Sequence, residues 1–409
     1  MSRVFRHCVP VVIGVSLLAQ LAAVRLRGAF EPRSVPVDYL NRYRPQAETI
    51  LAGGGMLLRG EPRTPPAYPL ALAGAIALCR GHGVGPDAAA RLLNLVLMAL
   101  AAALLTAAVR RAVGERAALC SGLAFATYPF AVYLGLAPGP EPLYLFSLSL
   151  TAWLIAATMG SSPWWAAAAG ALAGYSMLVK PIGILLPLFY AAAYLMMGRQ
   201  DRGPGSRYAR PALVLAAAAL AVLPWQVYLR QHDIRNVLLS SLGGATAYEG
   251  WTYGLAAGAG GDRADLPADV IALMGRIAGE GKDASLTRLF GVVARKGSER
   301  PAAFAKLAAL KLVRPWFGTD EQWHERTIAL VQALYLLAAV AGLVLWLGSR
   351  NGRALMAPLA AIMLCHWLMA FATMSILRYM MPMSFLLAVC IGVLAGRIWP
   401  GRRADAVHA

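Results

Sequence analysis

The sequence is poor in charge. Asp, Glu, Lys and Arg make up 14 % of its 409 residues, against 59 % hydrophobic residues, and that is too little polar surface for a soluble fold to cover its apolar side chains. Soluble enzymes and soluble binding modules are thereby excluded, and the chain reads as an integral membrane protein. Acidic residues are scarcer still, 20 against 38 Lys and Arg, for a net charge of +18. Such an excess suits nucleic acid only when it gathers on one basic face. Here the arginines sit in short loops between apolar runs, the positive-inside pattern of membrane proteins, and no nucleic-acid partner is expected. The five cysteines (Cys8, Cys79, Cys120, Cys365, Cys390) fall in or at the ends of apolar runs with no C-x-x-C or zinc spacing, which leaves them a packing role. The six histidines show no ligand spacing, and "EQWHE" is not a zinc motif. No cofactor is predicted, and a divalent metal is not indicated. Internal repeats, heptads and low-complexity tracts are also missing.

Apolar runs of spanning length are plentiful: Cys8 to Val24, Leu92 to Val109, Ala117 to Leu136, Pro142 to Met159, Trp164 to Val179, Pro181 to Met197, Pro211 to Leu229, Thr327 to Leu347, Ala354 to Thr373 and Tyr379 to Gly396. The first follows a charged head, as in a signal peptide, but lacks an A-x-A site and is read as a first helix. Arginine clusters test the topology: Arg3/Arg6, Arg110/Arg111/Arg116, Arg199/Arg202/Arg207/Arg210, Arg350/Arg353 and Arg397/Arg402/Arg403. If all are cytoplasmic, the chain leaves through the first helix and returns through Leu92 to Val109. The short run Ala67 to Cys79, crowded by Pro65, Pro66 and Pro69, then cannot also cross and is expected as a bent juxtamembrane or re-entrant element at the outer face. The expected fold is an all-α polytopic membrane bundle of about ten spans with both termini cytoplasmic. Residues 1–229 form an N-terminal membrane module with a first external loop at 25–91, residues 230–326 a long external loop with amphipathic helices, and residues 327–409 a C-terminal membrane module. In the long loop, "PAAFAKLAALKLVRPWFG" reads as an interfacial helix with Lys306, Lys311 and Arg314 flanking its apolar face.

Ionisable groups at the outer membrane boundary are the informative ones, because desolvating a charge is costly there. Asp38, in "VPVDYLNRYRPQAETIL", is either a solvated loop acid or helix cap, or a general base that takes the proton of an acceptor. Arg42, one helical turn on, is placed to orient it or to bind phosphate. Glu141, between two prolines, is either a helix-start acid complementing the dipole or a second carboxylate facing the cavity of Asp38. Lys180 in "LVKPIG" and Arg378 in "ILRYMMP" each interrupt the outer end of an apolar run. Snorkelling explains one such residue, but two at one level beside Tyr379 suit an anionic lipid headgroup. His366 reads as a polar residue satisfied between helices.

The order of these features, "DYLNRY" from Asp38, then "AETILAGG", "RTPPAYPLALAG", "RRAVGER", "PEPLYLF", "GALAGYSMLVKP" and a late "RYMMP", resembles the GT-C glycosyltransferases. The nearest branch is the bacterial group akin to protein O-mannosyltransferases and the lipid A aminoarabinose transferase. The resemblance implies transfer of a sugar from a polyprenyl-phosphate donor to a lipid, glycan or protein acceptor, with inversion, at the extracytoplasmic face of a bacterial inner membrane. It also implies Asp38 as the catalytic carboxylate of the first loop and Glu141 as the second-loop acid. Lys180, Arg378 and Tyr379 would then stand at the donor phosphate, with Arg42 neighbouring. Many relatives carry paired acids in the first loop, where Tyr39 follows Asp38 here. In the lipid A enzymes a lysine precedes the PP pair, where this chain has Thr64; either Arg63 substitutes or the donor differs. The rival readings are a transporter or flippase of a polyprenyl lipid, which predicts repeats and midplane helix breaks, and a non-catalytic lipid-binding assembly protein.

Overall fold

The computed structural model describes residues 7–27, 37–158, 162–197, 204–255, 266–319, 325–347 and 353–398. Arg3, Arg6, Arg199, Arg202, Arg350, Arg402 and Arg403 lie outside the described residues. The chain begins with α1 (Cys8–Arg27). A π turn at Tyr39–Tyr43 then runs into α2 (Arg44–Leu51). Next come α3 (Ala67–Arg80), α4 (Pro86–Ala112), α5 (Glu115–Ala126), α6 (Pro129–Leu136), α7 (Glu141–Thr158), α8 (Trp164–Val179), α9 (Leu186–Met197) and α10 (Pro204–Gln231). Four helices follow, α11 (Gly243–Thr252), α12 (Ala268–Gly281), α13 (Leu286–Glu299) and α14 (Pro301–Val313). The chain closes with α15 (Glu325–Leu347), α16 (Arg353–Ala372), the short α17 (Leu377–Met380) and α18 (Ser384–Ile398). Among the described residues an isolated backbone bridge, Leu58 to Glu61, stands in place of β-strands.

Among the described residues, six helices are long and apolar enough to cross a membrane, or seven if α5 and α6 are one broken span; the ten expected are not confirmed by helix length. Proline accounts for part of the difference. The residue before a proline is pushed toward extended backbone; Tyr128, ahead of Pro129, takes φ −63° and ψ 117°, and α5 and α6 meet at a 54° bend. Lys180 does the same ahead of Pro181 and separates the 16-residue α8 from the 12-residue α9, both short of the about 20 residues a span needs. The 14 residues of α3 reach about 21 Å at 1.5 Å per residue, short of a hydrocarbon core of about 30 Å. Pro65, Pro66, Tyr68 and Leu72 at its start are buried, and Pro69 sits in the first turn, where it breaks no hydrogen bond.

Close helix packing fixes the geometry around α8. Gly170 and Gly174 lie four residues apart on one face, and a Cβ on either would collide with the backbone of Val214 or Ala218 in α10. This small-residue contact lets two backbones approach in an apolar medium, where dispersion and not water release drives association. One large apolar cluster joins the long helices. A separate one, built on Trp251, Leu273, Ile277, Leu289 and Leu307, joins α11 to α14. In α14 the expected flanking cations divide: Lys306 is exposed and pairs with Asp269, whereas Lys311 and Arg314 are buried. The apolar face of α14 packs on its neighbours, and its later basic residues turn inward to meet backbone carbonyls.

Candidate functional site

Four separate stretches of chain deliver charged side chains to one place. Asp38 stands at the head of the π turn, in which the Arg44 N–H donates to the Tyr39 carbonyl, a five-residue closure often found at functional positions. Glu141 is the first residue of α7. Lys180 leaves the axis of α8 because its own backbone is extended at φ −148°. Arg378 sits in α17, which Ile376 introduces in extended conformation and which the Leu377 N–H ties to the Gly318 carbonyl at 2.7 Å.

The side chains then meet. Arg378 Nε donates to Glu141 Oε1 at 2.5 Å, and Lys180 Nζ donates to the same oxygen at 2.9 Å. Arg378 Nη1 reaches Asp38 Oδ2 at 3.4 Å, bridging residues 340 positions apart. Asp38 Oδ1 lies 3.3 Å from Arg42 Nη1, and Lys180 Nζ lies 4.9 Å from the ring centre of Tyr379, within cation–π range. Burial raises the Glu141 carboxyl, but the charges of Arg378 and Lys180 and their hydrogen bonds outweigh it, so the group is held well below the usual carboxylate range. The two acids differ in access. The Glu141 side chain is 6 % exposed and sealed between cations, while that of Asp38 is 34 % exposed.

Polar contacts continue beneath the cluster. His366 Nδ1 donates to the Ile362 carbonyl at 2.6 Å, which leaves Nε2 to accept from the Tyr144 hydroxyl at 2.8 Å. His366 is thus satisfied between helices, as expected. Tyr43 packs edge-on against Tyr68, their ring centres 5.1 Å apart. Two cavities adjoin the charges. One, of about 10 Å³, is lined by Glu141, Tyr144, Lys180, Arg378 and Tyr379 and is no larger than a water site. The other, of about 400 Å³, is lined by Asp38, Asn41, Arg42, Arg59 and Arg63.

Of the residues singled out from sequence, Asp38, Arg42, Glu141, Lys180, Arg378 and Tyr379 form one connected group. Arg63 stands apart from the Lys180 and Arg378 cations, on the wall of the larger cavity, and pairs with Glu61 at 2.9 Å. Thr64 is buried and donates to the Gln46 side chain. Sequence reasoning passed over Asp87, which accepts from the Tyr39 hydroxyl at 3.0 Å and from Arg44 at 3.2 Å and so pins the π turn to α4. It also passed over Arg59. Among the described residues no three His, Cys, Asp or Glu side chains gather closely enough to hold a metal ion, and Asp38 and Glu141 are both engaged by cations.

Residues 63–228 match the dolichyl-phosphate-mannose-protein mannosyltransferase family, a stretch shorter than half of the chain that begins beyond Asp38. No curated protein sequence matches the chain. Among solved structures it is similar to the archaeal oligosaccharyltransferase AglB from Archaeoglobus fulgidus in complex with an inhibitory peptide and a dolichol-phosphate. The TM-score is 0.55 at 14 % identity, over 94 % of this chain and 50 % of that one. The apo form of the Archaeoglobus fulgidus oligosaccharyltransferase gives 0.54 at 15 % identity with the same coverage. The chain therefore spans about half the length of the archaeal protein. ArnT from Cupriavidus metallidurans bound to undecaprenyl phosphate aligns at 0.44 and 18 % identity, over 95 % of this chain and 78 % of that one, too distant to add to the fold. The long helices, the broken apolar segments and the archaeal likeness converge on one architecture: the chain shares the fold of the archaeal oligosaccharyltransferase.

Proposed function

We propose that the protein is a membrane glycosyltransferase that moves a sugar from a polyprenyl-phosphate donor to a lipid, glycan or protein acceptor. The observation that carries this reading is the convergence of a solvent-accessible carboxylate, Asp38, with two cations, Lys180 and Arg378, beside Tyr379. The matched mannosyltransferase family and the dolichol-phosphate in the archaeal neighbour support the donor class.

In the proposed reaction the bond between the anomeric carbon and the lipid phosphate oxygen breaks, and its electron pair leaves with the phosphate. The acceptor oxygen forms the new bond from the opposite face, which inverts the carbon, and its proton passes to the Asp38 carboxylate. Lys180 and Arg378 stabilise the charge that develops on the leaving phosphate, an interaction stronger in the transition state than in the ground state. Glu141 holds both cations in register and gives way to the phosphate as it arrives, because the space they now enclose admits little more than a water. Tyr379 orients the Lys180 ammonium. Arginine placement along the chain supports an extracytoplasmic site in a bacterial inner membrane, with both termini in the cytoplasm and residues 230–326 as an external loop between two membrane modules.

Mass spectrometry of envelope lipids, glycans and proteins, with and without the gene, tests this reading. The expected result is a sugar missing from one acceptor class together with accumulation of the sugar-bearing polyprenyl phosphate. Unchanged glycosylation, with the lipid carrier trapped on one face of the membrane, would overturn it in favour of a flippase.

A further inference from the structure

The larger cavity carries a feature to which the steps above assign no role. Its wall includes a tight turn, Leu58 to Glu61, closed by two backbone hydrogen bonds of 3.0 and 3.1 Å between the end residues. Both central residues are left-handed, Arg59 at φ 55° and Gly60 at φ 78°, the pattern of a type I′ turn. Asparagine or glycine suits the first of these positions, and an arginine is strained there.

The turn is braced from several sides, which is how a strained residue persists. The Gln46 amide donates to the Met56 carbonyl, and the Met56 N–H donates to the Tyr228 hydroxyl at 2.8 Å. Ser240 Oγ donates to the Arg63 carbonyl, and the Ser241 N–H to that of Pro62. What this bracing presents to the cavity is a guanidinium. Arg42 is spent on Asp38 and Arg63 on Glu61, whereas among the described residues the Arg59 side chain has neither an ion pair nor a hydrogen bond. Three arginines thus stand against two carboxylates, Asp38 and Glu61, at a cavity of about 400 Å³, which leaves the Arg59 charge in excess; the volume is within the usual range of ligand sites and the excess favours an anion. The lip is apolar, with Val37 70 % and Leu40 42 % exposed.

We propose that this cavity is the acceptor subsite and that it takes an acceptor carrying an oxyanion, a phosphate or a carboxylate. Arg59 is its principal anchor, Arg42 and Arg63 stand beside it, and the reacting hydroxyl is directed to Asp38. The proposal rests on the reading of Asp38 as the base and supplies the acceptor chemistry that reading leaves open.

Full-length protein in nanodiscs is titrated with glucose 1-phosphate and with glucose, and separately with undecaprenyl phosphate. Glucose 1-phosphate is expected to bind and glucose not to. Arg59→Asn removes the cation and relieves the backbone, so it weakens glucose 1-phosphate about tenfold, the scale of one charge-assisted hydrogen bond, while keeping undecaprenyl phosphate affinity and a Tm at or above the parent value. Arg63→Gln is a second, independent variant with the same expected direction. Equal binding of glucose, or unchanged glucose 1-phosphate affinity in both variants, overturns the proposal. Displacement of glucose 1-phosphate by undecaprenyl phosphate would show that the cavity holds the donor phosphate and would overturn the acceptor assignment. A wild-type protein that binds no undecaprenyl phosphate would instead remove the donor reading, a separate readout.

Discussion

Two regions of this molecule draw cations together, and they satisfy them differently. Around Glu141, Lys180 and Arg378 share a carboxylate. In the second helical cluster, Lys311 donates to the backbone carbonyls of Gly250 and Thr373, each at 2.7 Å, and lies 4.6 Å from the ring centre of Trp251. Arg314 beside it binds the carbonyl of Gly254 and the Glu325 carboxylate, each at 2.7 Å. A carboxylate on a hinged side chain is exchangeable for another anion, whereas a carbonyl belongs to the backbone and cannot leave. The first arrangement suits a site that admits a phosphate, and the second fastens α14 and α11 to the end of α16. Trp251 completes that fastening by donating to the Ala372 carbonyl at 2.8 Å.

The sharpest break in the comparison lies at Asp38. Asp38→Asn keeps size and hydrogen bonding but cannot accept the acceptor's proton. Sugar transfer is expected to fall about 100-fold or more while undecaprenyl phosphate binding survives. Near wild-type transfer by a folded Asp38→Asn protein would take Asp38 out of the mechanism. Lys180→Ala and Arg378→Ala are each expected to weaken undecaprenyl phosphate binding by about 1.5–3 kcal/mol, the scale of a hydrogen bond to a charged group. Unchanged affinity in both would make them interface anchors. Lys311→Met should act in the opposite sense, leaving lipid affinity intact and lowering thermal stability, with about 1–3 kcal/mol at stake for each carbonyl left unsatisfied. A parallel loss of lipid affinity would join the two regions into one site.

The smallest effect separates the regions by pH. Burial, and then the charge of Arg314, push the Lys311 ammonium from its ordinary 10.5 down to about 7. Between those values the unfolded chain binds a proton that the folded one does not, so stability of the second cluster rises as pH climbs from about 7 toward 10.5. Glu141 is held low, so its contribution is lost only in acid, as pH falls below the ordinary carboxylate value. Hydrogen exchange at pH 6.5 and 9, corrected for intrinsic rates, should show residues 268–313 better protected at the higher pH and α7 unchanged. Lys311→Met should abolish the difference.

The charged group was legible in the sequence because an ionisable residue interrupting an apolar run is conspicuous. Lys180 and Arg378 stood out for that reason and Glu141 because it lies between two prolines in a short turn, and those prolines indicated where helices end. Their mutual distances were not legible, since they depend on contacts such as Gly170 and Gly174 against α10. Arg59 was hidden because it sits in a stretch already rich in arginine, and its sign is a backbone angle. The arginine–glycine pair at 59–60 is a weak turn signal. Lys311 was misread because helical spacing tells which residues share a face and not which neighbour covers it. Helix length confirms only six or seven of the ten expected spans among the described residues, because hydropathy runs on through Pro129 while the backbone does not and because α8 and α9 are short.

The π turn at Tyr39–Tyr43 fixes more than a local kink. It closes with one residue more than an α turn, and so sets the angular phase of Asp38 against α2. An α-helical residue advances about 100° around the axis. Deleting a single residue between Tyr39 and Tyr43 and letting the turn relax to α would therefore swing Asp38 by roughly that angle relative to Pro45 and Gln46. The hydrogen bonds of Tyr39 and Arg44 to Asp87 and that of Asp38 to Arg378 could not then be kept together. The number of residues between Asp38 and Arg44 is in this way coupled to the geometry of the charged group.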